Sequence, residues 1–218
     1  MEISTSILSV GKENATTIFY NLETAKTDYY HIDIMDGKFV EKDTTSLMYD
    51  YSNTIKQISN IPLDVHLMVD DPKKYIDEYI PLEPKIITFH YESCKNDEEV
   101  ISLINYIKEN GIKPAISIKP NTGVEKIEKF IPLVYMVLVM TVEPGKGGQK
   151  LIPETLDKVK DINKIIEKNN LDTFIEVDGG VNKETIESVK EAGVNIAVAG
   201  SAIISASDFK EAIQELKK

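Results

Sequence analysis

Tyr30-His31-Ile32-Asp33-Ile34-Met35-Asp36-Gly37 combines an apolar run with two chemically active side chains. Residues two apart on a β-strand share a face, so His31 and Asp33 point the same way. Leu63-Asp64-Val65-His66-Leu67-Met68-Val69 repeats the arrangement, with Asp64 and His66 on one face. Ile175-Glu176-Val177-Asp178-Gly179-Gly180 closes a third strand with acids. All three histidines fall near predicted strand ends. Imidazoles and carboxylates converging from several strands suit a divalent metal and acid–base chemistry.

Outward from these segments, short Ile- and Val-rich runs alternate with amphipathic stretches. The pattern predicts strands over Ile3–Leu8, Tyr29–Ile34, Leu63–Leu67, Ile86–His90, Lys113–Ile118, Val134–Met140, Thr173–Val177 and Ile196–Ala199. Helical spacing links Val100, Ile101, Ile104 and Ile107, then Leu156, Val159, Ile162 and Ile166, and finally Phe209, Ala212, Ile213 and Leu216. Asn110-Gly111 and Ala192-Gly193 read as helix stops. A strand–helix unit repeated through the chain implies a parallel sheet. At 218 residues, a closed (β/α)8 TIM barrel of α/β class, forming a single domain over residues 1–218, is the expectation. The open doubly wound alternative wants a glycine fingerprint after its first strand, and Ser6-Ile7-Leu8-Ser9-Val10-Gly11 lacks that spacing. Lys38–Ser46 is a polar insert and a candidate lid.

A net charge of −11 argues against nucleic acid and anionic membranes as partners. The lone Cys94 leaves no disulfide within the chain and reads as a bystander thiol. The start of the chain lacks the basic and apolar regions of a signal peptide. Leu133–Met140 is too short to span a membrane. A cytoplasmic protein is the expectation.

Either His-x-Asp segment alone reads most simply as a surface or capping pair. Together they bring His31, Asp33, His66 and Asp178 to one barrel mouth, a set suited to zinc, iron, manganese or cobalt. Pro144-Gly145-Lys146-Gly147-Gly148-Gln149, Gly179-Gly180 and Gly200-Ser201 follow the late strands, where barrels hold phosphate through backbone N–H groups. The plainer reading of those glycines is tight turns. Met35, Met68 and Met140 are either core filler or a soft wall beside a developing anion.

His31-Ile-Asp33-Ile-Met35-Asp36-Gly37, Asp64-Val-His66-Leu-Met68-Val69, Met140-Thr141-Val142-Glu143-Pro144-Gly145, Val177-Asp178-Gly179-Gly180 and Ala199-Gly200-Ser201 closely resemble the ribulose-phosphate 3-epimerase family. The resemblance runs from Ser6 to Ile203. It implies a barrel enzyme, an isomerase that inverts C3 of a ketose phosphate through an ene-diolate. Asp33 and Asp178 would be the acid–base pair. His31, Asp33, His66 and Asp178 would hold one divalent metal, Zn2+ or Fe2+, with Mn2+ or Co2+ substituting. Ser6, His66, Met35, Met68 and Met140 would contact the sugar. Gly147, Gly148, Gly179, Gly180, Gly200 and Ser201 would hold the phosphate. The partner would be a small-molecule ketose phosphate, and the chain a homo-oligomer. Differences from the family pattern fall in the loops: Lys119-Pro120-Asn121-Thr122-Gly123 replaces Asn-Pro-x-Thr-Pro, and Lys146 stands for an aromatic residue. A D-allulose 6-phosphate 3-epimerase and a catalytically silent phosphosugar-binding protein stay open as alternatives.

Overall fold

The computed structural model describes residues 1–218. Eight parallel strands close into a barrel in sequence order. They are β1 (Glu2–Ser6), β2 (Tyr29–Met35), β3 (Leu63–Met68), β4 (Ile86–His90), β5 (Lys113–Ile118), β6 (Met136–Met140), β7 (Phe174–Asp178) and β8 (Ile196–Ala199). Pairing of Glu2 with Ile196 through Thr5 with Ala199 joins the first strand to the last. Every residue of β2 and β3 is buried. A strand covered on both faces cannot alternate apolar with exposed polar residues, which is why these runs are so rich in Ile, Val and Leu.

Helices α1 (Ala15–Ala25), α2 (Thr45–Ile58), α3 (Pro72–Tyr79), α4 (Asp97–Glu109), α5 (Thr155–Asn169), α6 (Ile186–Glu191), α7 (Ser201–Ile204) and α8 (Phe209–Lys217) wrap the outside. The expected regular repeat fails once. Between β5 and β6 the chain forms only 3-10 turns, Val124–Lys126 and Glu128–Leu133, and the second contains Pro132, which has no N–H to donate. On α4 the buried face is Val100, Leu103, Ile104 and Ile107, and Ile101 turns outward at 41% exposure. Pro72 begins α3, where Asp71 accepts from the Lys74 N–H as its N-cap.

The outward faces of the strands (Ile32, Ile34, Val65, Leu67, Ile87 and Phe89 among them) join the helices in one large apolar core. Burying each such side chain contributes roughly 1.5–3 kcal/mol. The inward faces are layered. Tyr29, Ile86, Ala115, Met136 and Ile196 form an apolar plug at the N-terminal end. Register then brings His31 beside Asp64, Asp33 beside His66, and Met140 beside Asp178 above that plug. Polar chemistry is thereby raised to the C-terminal end, with a dry floor under it.

Candidate active site

A cavity of about 720 Å³ opens at the C-terminal end of the barrel. Asp33 and Asp178 both line it, as do Ser6, Met35, Met68 and Met140. The three methionines are nearly fully buried, so they are packed wall and cavity lining at once. Gly147, Gly148, Gly179, Gly180, Gly200 and Ser201 border the same cavity on the β6–β8 side.

Beneath the carboxylates lie two imidazoles with no solvent exposure. His31 Nε2 is 3.4 Å from Asp33 Oδ1 and 3.9 Å from Asp178 Oδ2. His66 Nδ1 is 3.6 Å and 3.4 Å from the same two oxygens. Both nitrogens are buried without a hydrogen-bond partner. Two orphaned ring nitrogens facing two carboxylates call for a cation. A tetrahedral ion bonded at about 2.0–2.2 Å to each donor has donor–donor edges of about 3.3–3.6 Å, close to those found. The four groups, whose ligand atoms lie within 4.8 Å of one another, therefore fit a divalent metal.

Their electrostatics fit the same purpose. Burial alone would discharge His31, but Asp64 and Asp33 outweigh it and push the imidazole well above its ordinary value. Burial likewise opposes the charge on His66, and the facing carboxylates of Asp178 and Asp33 raise it on balance. Burial opposes ionisation of Asp33, yet His31, aided by His66, holds that carboxyl far below the usual range. Ser6 Oγ donates to Asp33 Oδ2 at 2.7 Å and fixes the carboxylate's rotation.

Several polar residues below and beside this cluster were given no role by sequence reasoning, although Asp64 was read as sharing a face with His66. Asp64 Oδ2 accepts from His31 Nδ1 at 2.6 Å and from Ser4 Oγ at 2.7 Å. This leaves the Nε2 lone pair of His31 aimed at the cluster. Glu176 is fully buried, and burial followed by repulsion from Asp64 keeps it a neutral acid well above the carboxyl range. The two-residue spacings Ser4–Ser6, Asp64–His66 and Glu176–Asp178 were the available signal, since all these side chains point inward. His90, the end of a predicted strand, was given no role, and its Nε2 lies 2.9 Å from His66 Nε2.

Local hydrogen bonds hold the two ends of the candidate lid. Asp36 accepts from the N–H groups of Lys38, Phe39 and Asp70. Thr44 Oγ1 donates to the Asp33 carbonyl and accepts from the Met35 N–H. The Phe39 ring lies 4.9 Å from that of His90. Cys94 is partly buried, and burial pushes its thiol up to about 12, which fits a bystander.

A model of the ribulose-phosphate 3 epimerase family matches residues 2–204. Ribulose-phosphate 3-epimerase of Bacillus subtilis (strain 168) is 39% identical over 218 residues, covering 100% of this chain and 98% of the relative. The enzyme of the same name from Methanocaldococcus jannaschii is 37% identical, with 100% and 90% covered. Among solved structures, 3-hexulose-6-phosphate synthase has a TM-score of 0.74 at 16% identity, covering 100% of this chain and 98% of that one. KGPDC from Streptococcus mutans has a TM-score of 0.73 at 10% identity, covering 99% and 95%. Likeness at such identities is one of fold. No helix is long and apolar enough to cross a membrane. Family match and full-length relatives agree with the barrel and its acid-lined mouth: the chain belongs to the ribulose-phosphate 3 epimerase family and is an enzyme of the isomerase class.

Proposed function

We propose that the protein interconverts D-ribulose 5-phosphate and D-xylulose 5-phosphate, with Asp33 and Asp178 as the acid–base pair. The observation that carries this reading is the convergence of both carboxylates, from β2 and β7, on the same two buried imidazoles while both line one cavity. Inversion at C3 needs a proton removed from one face of the sugar and another returned to the opposite face. Two carboxylates from separate strands can flank a flat intermediate in this way. Asp33, held ionised and oriented by Ser6, is suited to remove the proton. Asp178, more open to the cavity, would return one, and the two exchange jobs in the reverse direction.

His31, Asp33, His66 and Asp178 would hold the divalent ion. When bound, it would supply a Lewis acid for negative charge developing on the ketose oxygens. Met35, Met68 and Met140 would keep the reacting carbon away from bulk water. The glycine-rich β6–β8 loops would receive the phosphate through backbone groups, which suits a chain with a net charge of −11 and no broad basic field.

A coupled assay in deuterated water tests this. The expected result is xylulose 5-phosphate carrying solvent deuterium at C3. Product free of deuterium would exclude carboxylate-mediated exchange. Faster turnover of D-allulose 6-phosphate than of the pentose would reassign the substrate while keeping the chemistry.

A further inference from the structure

Beyond the proposed ligands, a second chain of polar groups runs from His66 outward to the loops after β4 and β5. His66 Nε2 meets His90 Nε2 at 2.9 Å. His90 Nδ1 meets Glu92 Oε2 at 3.1 Å. The other oxygen of Glu92 accepts from the Lys119 N–H at 2.8 Å and from Thr122 Oγ1. Lys158 of α5 donates to the carbonyls of Lys119, Pro120 and Thr122, pinning the same loop from behind.

Donor rules fix the protons along this chain. If His66 offers Nδ1 to an ion, its proton sits on Nε2 and is donated to His90 Nε2. His90 must then accept at Nε2 and donate from Nδ1, which requires an acceptor at Glu92. Three donors converge on the two oxygens of Glu92, so both oxygens must accept. A carboxylate meets that demand, and an amide, with one acceptor oxygen, does not.

We propose that Glu92 and His90 are positioning residues that set the tautomer of His66 and so present its Nδ1 lone pair to the metal site. The proposal rests on the reading of His66 as a metal ligand. It also gives a purpose to the loop Lys119–Gly123, whose sequence departs from the family pattern yet keeps the threonine that binds Glu92. The Phe39 ring lies against that of His90, tilted by 47°, and Lys119 Nζ lies 3.8 Å from the centre of the Phe39 ring, so the candidate lid rests directly on this relay.

The test uses the full chain with 15N-labelled histidine, loaded with Zn2+ and without sugar. Two-bond proton–nitrogen correlations distinguish the tautomers, and only three histidines need assignment. Wild type is expected to carry His90 as the Nδ1–H form. Glu92→Gln is expected to lose that pattern and to bind Zn2+ about 10–100-fold more weakly, measured by chelator competition. Thr122→Val removes a loop donor only, and is expected to keep both the pattern and the affinity. An Nε2–H form of His90 in Zn2+-loaded wild type would overturn the relay. So would full Zn2+ affinity in Glu92→Gln, or an equal loss in Thr122→Val, which would make Glu92 a loop anchor and nothing more. Failure of wild type to bind Zn2+ at all would instead overturn the reading of the centre itself.

Discussion

The two sides of the barrel mouth are built by opposite means. On the β2–β4 side the working groups are side chains, and each is braced by another: His31 by Asp64, Asp33 by Ser6, His66 by His90. All three histidines there have no exposure. On the β6–β8 side, beyond Met140 and Asp178, the border that would receive the phosphate is formed by glycines and a serine, where backbone sets the shape. Gly179 and Gly180 have φ values of +122° and +70°, where side chains are disfavoured. A methyl group on Gly179 would strike the Val142 side chain, and one on Gly180 the Leu151 backbone. One side should thus fail by losing atoms, the other by gaining them.

The sharpest test removes charge where the two sides meet, at Asp33 on β2 and Asp178 at the end of β7. Asp33→Asn and Asp178→Asn are each expected to lower turnover in the coupled assay by roughly 10²–10⁴-fold, the usual worth of a positioned acid or base. Both should also weaken Zn2+ binding. An Asp178→Asn protein with full turnover would take that residue out of the scheme.

Proton competition should come next in size. In the metal-free protein Asp64 and Asp33 raise His31 against the opposing effect of burial, and Asp178 and Asp33 do the same for His66, so both hold protons above their ordinary range. Metal must displace those protons. Zn2+ affinity should therefore rise with pH from about 6 to 8, by about tenfold per unit for each proton displaced. Titration calorimetry in buffers of different ionisation enthalpy counts the protons, and a pH-independent affinity would contradict the arrangement.

Gly180→Ala probes the other side. The expected result is a KM for the phosphorylated sugar raised by about tenfold through displacement of the loop, with Zn2+ affinity unchanged. Loss of metal binding in this variant would erase the division between the two sides.

The smallest effect concerns the acid below the centre. Glu176 is raised by burial and then by Asp64, so as pH climbs past the ordinary carboxyl range the unfolded chain releases a proton that the folded chain keeps. The stability contributed by this group is therefore complete below that range and is lost as pH rises towards the folded-state value. Glu176→Gln removes the dependence. In chelator-treated protein its midpoint gain should be larger at pH 8 than at pH 5, by about 2–4 °C for each kcal/mol released.

Strand reading succeeded where apolar runs were buried on both faces. Ile86–His90, Lys113–Ile118 and Ile196–Ala199 match the observed strands in both bounds. It missed the helix-free connection after β5, because Ile127, Phe130 and Ile131 bury their side chains through 3-10 turns as well as a helix would. The helical spacing that linked Ile101 to Val100, Ile104 and Ile107 erred at that one residue, which turns outward while Leu103 is covered. At the site, a period of two told which way His31 and Asp33 face but not how deep they sit or what lies across the lumen. The pairing of Asp64 with His31, and of His90 with His66, depends on register between strands that no single segment reveals. Glu92 drew no notice because, His90 apart, its partners come from the β5 loop, about thirty positions further along the chain.

The four proposed ligands lie on β2, β3 and β7, and Asp178 is the final residue of the penultimate strand. A nascent polypeptide halted before that point owns both imidazoles and one acid but cannot finish the coordination sphere. Tight ion uptake would then be a late event in biogenesis, and retained metal a certificate that the seventh strand has taken its place.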